Sequence, residues 1–227
     1  MSDPRLRLPV LVVVLLVAGW AALARDHRAA DAAVPADGAR YALTTTAGSR
    51  ALPAPAPLRF APGVAPADQQ VVRDAVAAAR PEARRLVDLV AGLVEVRVGP
   101  PGPGVAGLTV ASSAGYVVTL DLGPVYRVNG MRGVRRLVLH ELAHVIDDAL
   151  VPTALERELD AATPVGFGCD DNGRSGACAA REERFAESFA KWATGDIGVD
   201  IYLGYRVPPP TSLQHWGDPL AALTRTA

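Results

Sequence analysis

Lysine is almost missing from this sequence. Of its 23 basic residues 22 are arginine, and Lys191 alone is lysine. Together with abundant Ala and Pro this indicates a GC-rich coding bias, so neither richness is read as a functional signal. Surplus positive charge is also lacking. The net charge is −1, without the basic stripe or patch of a nucleic-acid binder, so no nucleic-acid partner is expected. Internal repeats are absent. Cysteine is down to two residues and histidine to four. At 227 residues the chain can build one domain with a real core and some extra, but hardly two large domains.

The N-terminus reads as an export element. Arg5 and Arg7 precede the uncharged apolar run LPVLVVVLLVAGWAALA, Leu8 to Ala24, which Arg25, Asp26 and Arg28 end. A positive start, an apolar centre and Ala22-Leu23-Ala24 match a secretory signal with a small-residue cleavage site. The run is long for a signal and at the short limit for a span. Residues 1–24 are therefore either a signal peptide or a membrane anchor, with a slight preference for the anchor. Either way the rest of the chain is extracytoplasmic, anchored at the membrane or secreted.

The cysteines agree with export. Cys169 and Cys178 lie in GFGCDDNGRSGACAA, and an oxidising compartment would let them pair. Such a short loop would stabilise the fold by roughly 2–3 kcal/mol in the chain-entropy model. The competing reading is two thiols that are merely neighbours. Zinc binding by this pair alone is disfavoured, because its spacing is wider than that of a zinc knuckle. CDDNG lacks the ligand spacing of a calcium loop.

Residues 25–57 are rich in Ala, Pro, Gly and Thr and read as a tether without a core. From Leu58 the pattern tightens. APADQQVVRDAVAAARPEARRLVDLVAG has apolar residues at helical spacing, with Asp68 near the start, Gly92 as a stop and Pro81 dividing it in two. LVEVRVG, Leu93–Gly99, alternates as a strand should. GLTVASSAGYVVTLDLG reads as two strands around Ser112–Gly115. Helices are expected over about Met131–Leu150 and Arg181–Thr194. Residues 58–227 are therefore expected to form one α+β domain with a small sheet.

The stretch RRLVLHELAHVIDDAL, Arg135–Leu150, holds two of the four histidines. On a helix, residues four apart share a face, so His140 and His144 can bind one metal ion. His140-Glu141-Leu142-Ala143-His144 is the H-E-x-x-H pattern of a zinc-binding helix. Glu141 would act as the base that takes a proton from the activated water. The bland alternative is a chance match, with His140 in the core and Glu141 solvated.

A catalytic zinc usually has three protein ligands. His27, in the tether, and His215, in a loop-like SLQHWGDP, are poor candidates for the third and read as surface or packing residues. REERFAESFAKWAT, Arg181–Thr194, is better. Phe185, Phe189 and Trp192 mark its apolar face, and Glu183 and Glu187 share another. Glu183 would be the third ligand, and Glu187 would hold the second nitrogen of a ligating histidine, His140. A surface helix rich in acids is the alternative.

HELAHVIDD followed by EERFAESFA resembles the gluzincin metallopeptidases, most closely the catalytic domain of the anthrax lethal factor group. The match covers Val138–Asp148 and Glu182–Ala190. The resemblance implies a zincin-like fold with an active-site helix and a C-terminal helical part, and zinc held by His140, His144 and Glu183. It also implies Glu141 as general base and a peptide or protein substrate. That family has a tyrosine a few residues before the third ligand to stabilise the oxyanion, and Val165–Glu182 contains none. Tyr202 and Tyr205 are the nearest replacements, and Arg181 is a weaker one. Asp147 either orients a ligand or is a helix-terminal acid held by an arginine. In zincins an edge strand pairs with substrate backbone, and Tyr116–Leu122 is the expected one.

Three functions fit. The first is a zinc metallopeptidase. The second is a non-catalytic extracytoplasmic binding protein on the same scaffold, favoured by the missing tyrosine. The third is a zinc hydrolase of another amide, such as one in the cell wall.

Overall fold

Proline opens two of the helices. A computed structural model describes residues 56–103, 105–164, 180–198 and 207–226, all within one compact unit, Thr45–Ala227. Helix α1 runs Pro66–Ala77 and α2 runs Pro81–Val90, each with proline in its first turn. There the missing N–H has no helical partner to lose and the fixed φ already suits a helix. Pro81 thus divides the long apolar pattern as expected. A short 3-10 turn, Ala91–Leu93, leads into the sheet.

The sheet has four strands: β1 (Arg59–Phe60), β2 (Val94–Val98), β3 (Gly107–Ser112) and β4 (Gly115–Leu120). Their order is β1-β2-β4-β3, with β3 antiparallel to β4 and the other neighbours parallel. The β3–β4 hairpin turns at Ser113–Ala114, and Gly115 has φ +135. A Cβ at Gly115 would stand 2.3 Å from the Leu93 carbonyl oxygen, so glycine is required twice over. One expectation is corrected: Tyr116–Leu122 is not an edge strand. β4 lies between β2 and β3, and β3 forms the edge.

Helix α3, Leu122–Leu150, starts nine residues before the expected Met131 and breaks at Gly130, whose φ of 60 and ψ of −159 are not helical. Its second half begins where the sequence placed a helix. From Gly133 to Asp147 every residue except Arg135 is buried. The helix packs against α1, α2, strands β3 and β4, and α5 (Arg181–Thr194). Leu137, Leu139, Leu142 and Ile146 are fully buried, each contributing roughly 1.5–3 kcal/mol by area. That packing holds the histidine-bearing turn rigid.

Two helices escape the sequence reading. α4 covers Thr153–Ala161 and α6 covers Leu213–Thr226. α6 was obscured by Gly217 and Pro219, which read as loop signals. His215 therefore sits on a helix, not in a loop, and its side chain is exposed. Gly217 serves packing instead: a Cβ there would fall 1.9 Å from Trp192 Nε1. The architecture is a mixed, mostly helical α+β fold with a small sheet.

No helix among the described residues is long and apolar enough to cross a membrane. The N-terminal run 1–24, most of the tether, His27, Cys169, Cys178, Tyr202 and Tyr205 lie outside the described residues.

Candidate metal centre

Two stripes of side chains at four-residue spacing meet between α3 and α5. On α3 they are Arg136, His140 and His144; on α5 they are Glu183, Glu187 and Lys191. Their contacts run in opposite order along the two helices, so the helices are antiparallel along this seam. His144 Nε2 lies 3.5 Å from Glu183 Oε2, and His140 Nε2 lies 3.2 Å from the same oxygen. His140 Nδ1 lies 3.4 Å from Glu187 Oε2. Glu187 Oε1 in turn faces Lys191 Nζ at 3.3 Å and Arg136 Nε at 3.6 Å.

One ligand atom from each of His140, His144 and Glu183 lies within 4.8 Å of the others. Two imidazole nitrogens and a carboxylate oxygen form a donor set compatible with a metal ion. An Nδ1–H donated to Glu187 leaves the Nε2 lone pair of His140 facing the centre. The histidines are buried and Glu183 is half-buried, so Glu183 is the most exposed of the three.

Charge reinforces this arrangement. Burial opposes a proton on His140, yet the hydrogen bonds it donates to the Glu183 and Glu187 carboxylates outweigh that and lift the imidazole pKa to about 10. Burial likewise opposes the charge of Glu183, but His140 and His144 hold its carboxyl well below the usual range. Glu187 is also shifted down against burial, by His140 first and then by Arg136 and Lys191. The metal-free centre thus holds paired charges that a cation would replace.

Glu141, next to His140 in the chain and close enough to act on its charge, packs against the edge strand β3. Thr109 Oγ1 lies 2.8 Å from Glu141 Oε2, as donor to the carboxylate, and 3.0 Å from the Glu141 carbonyl oxygen. A Cβ at Gly107 would sit only 2.2 Å from Glu141 Oε1. Glu141 is buried, which overturns the solvated alternative for it.

Asp147 does not hydrogen-bond a ligand. Arg181 takes it by two bonds, 3.0 and 2.7 Å, and also faces Glu156 at 3.7 Å. Burial pushes the Asp147 carboxyl up, and Arg181 only partly offsets that. His144 Nδ1 is buried with no hydrogen-bond partner among the described residues. Asp148 accepts a 2.5 Å hydrogen bond from the Tyr116 hydroxyl, tying the end of α3 to β4. Among the described residues, His215 does not join His140, His144 and Glu183 in the group that could hold a metal ion.

Arg136, Lys191, Thr109 and Gly107 were not anticipated. The four-residue spacing that joins His140 to His144 reaches Arg136 one step back, and that of Glu183 and Glu187 reaches Lys191 one step on. Gly107 and Thr109 share the inward face of β3 by strand alternation, but no local signal ties them to Glu141.

Comparison with protein-family models, curated proteins and solved structures returns no match. The case for the site rests on its geometry.

Proposed function

We propose that this protein is an extracytoplasmic zinc metallopeptidase on a zincin-like scaffold of the gluzincin type. The observation that carries the reading is the convergence of His140, His144 and Glu183 on one point beside Glu141. Donor atoms about 2.0–2.1 Å from a shared tetrahedral zinc stand about 3.3 Å apart. The separations of 3.2 and 3.5 Å support zinc. The Glu187 contact to His140 adds the outer-shell carboxylate such histidines usually have.

Zinc, when bound, supplies Lewis acidity that polarises a peptide carbonyl and acidifies water. Glu141 takes the proton of the attacking water and delivers it to the departing amine. Thr109 holds the carboxylate of Glu141 on the side of β3. β3, bonded on one side to β4, offers its other edge to an extended substrate backbone. The apolar run at residues 8–24 supports export, as either a secretory signal or a membrane anchor.

The test is zinc content by elemental analysis on the full-length chain, beside Glu183→Gln and Glu141→Gln, with hydrolysis of a peptide library. One zinc per chain, weakened in Glu183→Gln but kept in Glu141→Gln, with peptide cleavage lost in Glu141→Gln, is the expected result. Absence of zinc in the wild type at micromolar metal would sink the reading.

A second reading is a non-catalytic zinc-binding protein, favoured by the lack of tyrosine in Val165–Glu182. Zinc without hydrolysis of peptides or cell-wall amides would select it.

A further inference from the structure

Lys191, the only lysine in the chain, is also one of its most buried charged groups, at 1% exposure. Its ammonium reaches acceptors from different parts of the fold, among them Glu187 Oε1 at 3.3 Å and the Val207 carbonyl oxygen. A buried ammonium is costly unless paired. Here its carboxylate partner is the one whose other oxygen faces His140 Nδ1.

Glu187 therefore divides its two oxygens. Oε1 faces the cations Lys191 and Arg136, and Oε2 faces the imidazole. A carboxylate fixed at one oxygen has little freedom to rotate at the other. Lys191, Glu187 and Glu183 succeed one another at four-residue steps on α5, so one helix face carries the ligand, its support and the support's anchor. A compact ammonium fits a single point between a carboxylate and a carbonyl, where a planar guanidinium demands a wider fork of acceptors. That is a physical reason for lysine here in a chain that otherwise uses arginine.

From this geometry we infer that Lys191 is a positioning residue of the metal centre: it fixes Glu187, and through Glu187 it sets the orientation of His140. The inference rests on the proposed zinc site and extends it to a residue that touches neither metal nor substrate. A merely structural Lys191, pinning Val207 to α5, would leave the centre indifferent to its loss.

The experiment is a double-mutant cycle on the full chain, reading zinc affinity by competition with a chelating dye. Lys191→Met and Glu187→Gln should each weaken zinc by roughly 10–100-fold, as loss of an outer-shell partner does. The double variant should be no worse than the more affected single one, because the two act in series. Unchanged affinity in Lys191→Met, or losses that multiply in the double variant, overturns the inference. Wild type without zinc overturns the metal centre itself and the inference with it.

Because there is one lysine, 15N-lysine labelling of the wild-type chain gives one side-chain ammonium signal, which needs no variant that folds. It should be protected from rapid exchange and should shift when zinc is added. A signal unmoved by zinc overturns the inference.

Discussion

Arg181 donates two hydrogen bonds to Asp147, at 3.0 and 2.7 Å, joining the first residue of α5 to the last turns of α3. Asp147 lies three residues past His144 and Arg181 lies two before Glu183. The clamp therefore fixes the distance between the two helices that carry the candidate ligands His144 and Glu183. At the far end of the same seam Arg132 pairs with Asp196 by two 2.7 Å bonds. The two clamps differ in burial. Asp147 is enclosed, whereas Arg132 is exposed.

That difference predicts unequal costs. Arg181→Ala leaves Asp147 buried without its cation and should destabilise the fold by about 2 kcal/mol, below the ~3–5 kcal/mol of a fully buried pair. Arg132→Ala should cost much less. Denaturant unfolding of both variants checks the order.

Glu141 should be sensitive to its neighbour across the strand. A side chain at Gly107 would need the space 2.2 Å from Glu141 Oε1, so Gly107→Ala should displace Glu141, the proposed base, while leaving His140, His144 and Glu183 in place. A shift of about 1 Å can cost ~10²-fold in rate. Under the proposed function, peptidase activity should fall by about that factor with zinc content unchanged. Thr109→Val, which removes the 2.8 Å bond, should act in the same direction more mildly.

Metal removal should destabilise the protein. Binding to the folded state alone adds about 2.7 kcal/mol at a hundredfold excess over Kd. Chelation should lower Tm, zinc should restore it, and both changes should be smaller in Glu183→Gln.

The chelated protein should also have a pH signature. His140 is raised from 6.5 to about 10 by its two carboxylates. A raised folded-state value means that its protonated pairs stabilise the fold fully below pH 6.5, and that this contribution fades as pH climbs towards 10. Metal-free protein should therefore lose stability between those limits. In metal-free His140→Gln this part of the profile should be flat. Thermal unfolding across pH 6–10 makes the comparison.

Helix α6 has its own test. Gly217 lets the helix approach Trp192, itself 1% exposed. Gly217→Ala should overpack that contact and cost about 1–3 kcal/mol.

The sequence by itself determined the local elements and the ligand-bearing faces. Helical spacing around Pro81, the alternation of Leu93–Gly99, the hairpin about Ser112–Gly115 and the helix of His140 and His144 depend on neighbours in the chain. So does the shared face of Glu183 and Glu187. These patterns are periodic because one face of each element is buried. Only the tertiary structure decided what those faces meet. It made β3, not Tyr116–Leu122, the sheet edge, because strand order follows from how the chain crosses over rather than from the strand's composition. It gave Asp147 to Arg181, brought Thr109 and Gly107 to Glu141, and set the Val207 carbonyl against Lys191. It also made a helix of 213–226, where a glycine that looked like a turn signal is a packing contact with Trp192. Contacts between residues far apart in sequence leave no period in either segment.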